Sequence, residues 1–99
     1  MFCLICMDRP ESEDLRLATR PDHIAYVQES GKVAMGGPFL GEDGKTMIGS
    51  LIVLNVDSRA EAESWAHGDP YAKAGLFDRV EIHPWEHLLG GLTDAQTAR

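Results

Sequence analysis

Two stretches limit the folds open to this chain. Residues 2–7 ("FCLICM") and 47–56 ("MIGSLIVLNV") are apolar with almost no alternation. Both are far shorter than the roughly 20 apolar residues a membrane helix needs. They have the length of strands, and a strand apolar at odd and even positions alike is buried on both faces of its sheet. The chain must therefore provide flanking strands and cover for two sheet faces, from 99 residues in all.

The remaining elements follow in a simple order. "DRPESED" is a charged turn after the first strand. Residues 15–30 read as a helix that stops at Gly31, with Ile24 and Val27 on its core side and Tyr26 beside them. Pro21 interrupts it: either the helix kinks there, or a second helix begins with Pro21 at its first position. Residues 33–35 read as a short strand running into "GGPF". "GGP" is most simply a strand-end turn, although two glycines also let a ligand approach the backbone closely. Asp43-Gly44 is a hairpin signal before the apolar strand at 47–56. "SRAE" has the spacing of a capping box, with Ser58 as cap and Glu61 three positions on. The helix it opens buries Ala62, Trp65 and Ala66 and ends at Gly68. "FDRVEIHPW" is the last strand, with Val80 and Ile82 alternating against Arg79, Glu81 and His83.

The order β-α-β-β-α-β is the ferredoxin-like α+β plan, a four-stranded antiparallel sheet with the first and third strands central. The apolar runs are the first and third strands, as that plan requires. The domain is expected over residues 1–90, with 91–99 as a mobile tail that has little to pack. Two helices cover one sheet face only, so the second apolar face calls for a homodimer through that face.

Charge narrows the partners. A net charge of −7 and a pI near 4.9 offer no basic footprint for nucleic acid and no attraction to an anionic membrane. "MFCLICM" lacks the basic start and small-residue cleavage site of a secretion signal, so a cytoplasmic location is expected. Cys3 and Cys6 in an extended strand lie roughly 10 Å apart on opposite faces, beyond disulfide reach, and no second C-x-x-C completes a zinc site. They read as buried thiols. His83, Glu86 and His87 invite a metal reading, but the two histidines stand roughly 13 Å apart on an extended chain unless Pro84 turns it, and no metal is expected. His67 in the last turn of its helix suits the helix dipole.

The topology brings chemistry together. The helices run antiparallel, so the second ends on the side of the sheet where the first begins. Asp8, Gly36-Gly37-Pro38 and Gly49-Ser50 also fall on that side. If the first helix effectively starts at Pro21, His23 lies in its first turn there, and Asp69 lands beside it. A carboxylate that accepts from one imidazole nitrogen fixes the tautomer and leaves the other free to exchange a proton near neutral pH. Asp69 before Pro70 is also a standard helix start, with Gly75 as the stop, and the two roles can coexist. Ser50 reads as a nucleophile or a hydrogen-bonding group, and Tyr71 as a packing residue whose hydroxyl could line a pocket. Arg20 meets an anionic substrate or pairs with Asp22 or Glu29; the structural pairing is the favoured reading.

"RPDHIAYV", "GGPF", "GSLIV", "DPYAKAGLF" and "VEIHPW" stand in the order and spacing of the YCII-related (YciI-like) family, which residues 1–85 resemble. The resemblance implies a dimeric α+β barrel and an active site built on a His-Asp dyad, whose positions match His23 and Asp69. His83 departs from the arginine that relatives often carry before this proline, which bears on ligand choice. The resulting expectation is an isomerase or lyase without a cofactor, acting on an aromatic-derived or lactone molecule. His23 and Asp69 would be catalytic, and Tyr71, Ser50, Gly37 and Pro38 would bind substrate. The alternative is a non-catalytic small-molecule-binding or accessory dimer, and a third reading is a haem or quinone monooxygenase.

Overall fold

A computed structural model describes residues 1–97. β1 (Phe2–Asp8) leads into α1 (Glu13–Ser30), β2 (Val33–Leu40), β3 (Met47–Leu54), α2 (Arg59–Gly68), the one-turn α3 (Pro70–Lys73) and β4 (Phe77–Pro84). The strands form one antiparallel sheet in the order β2-β3-β1-β4. This is the ferredoxin-like α+β arrangement, with the two apolar strands in the centre. A 3-10 turn at Asp94–Gln96 follows, closed by Thr93 and Gln96. The expectation of a mobile tail extends to Ala98 and Arg99, which lie outside the described residues.

The register explains why the central strands are apolar throughout. Leu4 pairs with Ile52 and Phe2 with Leu54, and these residues face the helices and pack with Val56, Ala62 and Trp65. Cys3 pairs with Val53 and Ile5 with Leu51, on the opposite face. Cys3 and Cys6 are free, buried thiols one on each face. Burial, helped by the Asp69 charge, pushes the Cys6 thiol up to about 12, so it stays protonated and unreactive at neutral pH.

α1 corrects the expected break at Pro21. It is one helix of 18 residues that starts at Glu13, so His23 lies in its middle and not in a first turn. Proline removes the hydrogen bond to the carbonyl of Leu17. Leu17 and Pro21 are both exposed, so water reaches the freed carbonyl and the helix continues. Glu13 and Asp14 complement the dipole at its start, and Gly31 ends it with φ of 62°. α2 begins as its sequence predicts, with the Ser58 hydroxyl accepting from the Glu61 N–H at 3.2 Å. The Tyr26 hydroxyl donates to the Trp65 carbonyl at 2.8 Å, and Trp65 Nε1 donates to Ser30 Oγ at 3.0 Å. These two bonds tie α1 to α2 where both rest on the sheet.

β2 also differs from its sequence reading. It runs through Gly36-Gly37-Pro38 to Leu40, so "GGP" is strand and not a terminal turn. The physical reason is its place at the sheet edge. An edge strand has one unpaired side, where a proline without an N–H costs no ladder bond. β3 in turn stops at Leu54, and Val56 is buried just past its end. No helix among the described residues is long and apolar enough to cross a membrane.

Gly49 lies opposite Met7 where the two central strands pair. A Cβ there would sit 2.5 Å from the Cys6 carbonyl oxygen and 3.0 Å from Met7 Sδ. The backbone contact cannot be relieved by rotating a side chain. Gly49→Ala is therefore expected to destabilise the fold by about 1–3 kcal/mol, read as a lowered urea midpoint with an unchanged slope.

Candidate functional site

A cavity of about 230 Å³ lies between α1 and the β2–β3 half of the sheet. It exists because β2 has little to put there. The residues of β2 on this face pair with Leu54, Ile52 and Ser50, and they are Val33, Gly36 and Pro38. A glycine and a proline leave unfilled the space that a larger side chain would occupy. Above them, α1 presents Arg16, Arg20, His23, Ile24 and Val27, a spacing of four, three, one and three that keeps them on one helical face.

His23 is fixed from α3. Its Nδ1 lies 2.8 Å from Asp69 Oδ1, and the same oxygen accepts the Tyr71 N–H at 3.0 Å. Asp69 caps α3 and faces His23 at once, and it is 1% exposed. An ionised carboxylate only accepts hydrogen bonds, so Nδ1 carries the proton and Nε2 has the free lone pair. Among the described residues Nε2 has no hydrogen-bond partner, yet no buried side-chain nitrogen or oxygen there is unpaired. Nε2 therefore reaches accessible space, and His23 lines the cavity. The Tyr71 ring stacks on the imidazole, with centroids 4.1 Å apart and planes 19° from parallel. Burial pushes the Tyr71 hydroxyl pKa up while the charges of Arg16 and Arg20 oppose it, so at neutral pH the phenol remains a donor.

Arg16 is the residue that sequence reasoning missed. It is 3% exposed and makes a two-pronged contact with Asp8, Nε to Oδ2 at 2.7 Å and Nη2 to Oδ1 at 3.0 Å. Nη2 also donates to Ser50 Oγ at 2.8 Å. The guanidinium carbon lies 4.6 Å from the centre of the Tyr71 ring. The hydrogen bond to Asp8 and its charge hold the Arg16 pKa up against the cost of burial. A signal was present in the sequence: Arg16 is seven positions before His23 and eight before Ile24, on the same helical face.

Ser50, Gly37, Pro38 and Tyr71 all line the cavity with His23. They converge beneath the middle of α1 and not at the end of the sheet. Ser50 Oγ accepts from Arg16, and no base among the described residues bonds to it, which favours its reading as a hydrogen-bonding group. Arg20 departs from its favoured pairing: neither Asp22 nor Glu29 lies within ion-pair distance, and its position on α1 turns it to the cavity. His83 bonds to Glu81 at 3.1 Å and His87 to the Gly90 carbonyl at 2.7 Å, so the two histidines have separate partners.

The fold and this cavity define a small ferredoxin-like domain with a largely apolar chamber under its first helix, into which a few polar side chains are set. The chain belongs to the YCII-related domain family, whose profile matches residues 1–86. It is similar to Protein YciI of Escherichia coli, 28% identical over 90% of this chain and 99% of that protein. An uncharacterised protein of Haemophilus influenzae is 26% identical over 89% of this chain and 98% of its own length. Among solved structures, it is similar to the 5-chloro-2-hydroxyhydroquinone dehydrochlorinase of Burkholderia phenoliruptrix in complex with 2,5-dihydroxybenzoquinone. That match has a TM-score of 0.76 and 35% identity, covering 88% of this chain and 95% of that one.

Removing Arg16 strands the Asp8 carboxylate, whose side chain is 4% exposed. Arg16→Met is expected to cost about 3–5 kcal/mol in a denaturant titration. The double variant with Asp8→Asn should recover part of that loss, because the buried charge is then gone.

Proposed function

We propose that this protein is a small-molecule lyase or isomerase in which His23 transfers a proton and Asp69 orients it. The observation that carries the reading is the 2.8 Å contact between His23 Nδ1 and Asp69 Oδ1 at a cavity wall. Nε2 takes a proton from a substrate carbon or hydroxyl. The electron pair of the broken bond forms a new double bond. In a lyase the leaving group departs with its own bonding pair, and in an isomerase the proton returns at a second atom. The imidazolium formed in between is stabilised by the Asp69 carboxylate. Tyr71, Ser50 and the backbone at Gly37 and Pro38 line the chamber and set the substrate's orientation. A cavity of about 150 Å³ is known to hold benzene, so the 230 Å³ here suits one substituted ring. The dehydrochlorinase similarity supports an elimination on an oxygenated ring, since its name describes loss of hydrogen chloride.

The test is a panel of hydroxylated chloroaromatics and lactones, followed by chloride release and by deuterium uptake from solvent. His23→Ala is expected to lower turnover by about 10²–10⁴-fold. Asp69→Asn should lower it while the fold persists, since an amide oxygen can still accept the Tyr71 N–H. Binding without turnover, and without dependence on His23, would establish a non-catalytic binding protein instead.

The working unit of this reading is a homodimer joined through the sheet face away from the helices. On that face Val53 is already buried within the chain, while Ile5 and Leu51 are half-buried and Met35, which pairs with Val53, is 48% exposed. Light scattering at micromolar concentration should give twice the chain mass of 10.9 kDa. A monomer mass would refute the assembly.

A further inference from the structure

The charge around the cavity is not evenly divided. Two guanidiniums line it, those of Arg16 and Arg20, and no carboxylate does. This stands out in a chain with a net charge of −7. Asp8 and Asp69 are close by but sit behind the residues they bind. Asp8 takes Nε and Nη2 of Arg16, and Asp69 takes Nδ1 of His23. Neither Asp8 nor Ser50 takes Arg16 Nη1, and the guanidinium also borders Tyr71 and the cavity. Arg20 has no ion-pair partner among the described residues. Asp8 is taken by Arg16 and Asp69 by His23, and neither carboxylate lines the cavity. Arg20 is the cavity cation with no carboxylate in contact among the described residues.

We propose that the cavity takes its ligand as a small organic oxyanion of one ring's size, a carboxylate or a phenolate. Its charged oxygen lies between Arg20 at the exposed mouth and Arg16 at the buried end. This deepens the proton-transfer reading by naming the charge of the substrate, and it rests on that reading only for the choice of cavity. Guanidinium donors match planar oxyanions and bind them more strongly than neutral oxygens. The arrangement also helps the chemistry. Arg16, held by Asp8, and Arg20 at the mouth attract the charged oxygen of the ligand, and the Tyr71 phenol can donate to it as electron density moves there.

Binding decides this without any turnover. Benzoate and its neutral analogue benzamide would be titrated calorimetrically into the whole protein. 4-Nitrophenol would be titrated at pH values on either side of its own ionisation. The wild type should bind at least one of the two anions and bind its neutral counterpart roughly tenfold more weakly or worse. Arg20→Gln should remove that preference, and Arg20→Lys should keep part of it. Arg20 is exposed, so its variants are expected to fold, which circular dichroism checks. Benzoate and the nitrophenolate form separate arms, and the tighter one identifies the oxyanion type. Equal affinity for charged and neutral probes, an anion affinity unchanged in Arg20→Gln, or no binding of either anion at millimolar concentration would each overturn the proposal. Loss of turnover in His23→Ala alongside unchanged anion affinity in Arg20→Gln would leave the proton-transfer reading standing and remove this one.

Discussion

A single oxygen, Asp69 Oδ1, holds the helical layer to its purpose. It accepts the Tyr71 N–H and so starts α3, and it accepts from His23 on α1. The backbone N–H of the same residue closes α2 on the Ala66 carbonyl at 3.3 Å. One residue therefore ends one helix, begins another and fixes a side chain on a third. A buried carboxylate is tolerable only when it is well supplied with donors. Here those donors are two groups whose positions matter: the histidine, and the backbone that places the Tyr71 ring against it. Stability and orientation come from the same contact.

Arg16 plays the matching part on the sheet side. Its fork on Asp8 ties α1 to the end of β1, and its bond to Ser50 ties the same helix to β3. The Tyr71 ring lies between Arg16 on one side and His23 on the other, the first 4.6 Å from its centre and the second 4.1 Å. The ring is in contact with both polar clusters. Packing sets its position, so its aromatic body and its hydroxyl serve different ends.

Much of this was legible in the sequence because it depends on patterns with fixed periods. The doubly apolar strands at 2–7 and 47–56 gave the central pair, and from the strand order came the meeting of His23 with Asp69. The capping box at Ser58 and the Asp69-Pro70 start were local signals, and local chemistry decides caps. What was not legible depended on context. Pro21 and the "GGP" segment look like breaks in one dimension. In three, Pro21 lies on the solvent side of α1 and Pro38 lies on an edge strand, where a missing N–H does little harm. His23 was placed near Asp69 for a partly mistaken reason, since it lies mid-helix; α3 packs against α1 and brings Asp69 to it. Arg16 was missed because an arginine reads as surface until a buried partner is known, and Asp8 is eight positions away on another element.

The chamber itself is a consequence of small residues set among strongly paired ones. Gly36 and Pro38 leave the volume, while the Arg16–Asp8 and His23–Asp69 pairs keep α1 from collapsing into it. A helix held only by apolar contacts would settle toward the sheet to fill such a space, because interiors favour close packing. Directional bonds resist that settling, since moving the helix would break them in a place where water cannot replace them. The same pairing draws each carboxylate away from the chamber, so the polar side chains left among its apolar walls are two arginines, two hydroxyls and the imidazole. The cavity's size and its electrostatic character thus have one origin, the placement of Asp8 and Asp69 behind the residues they hold.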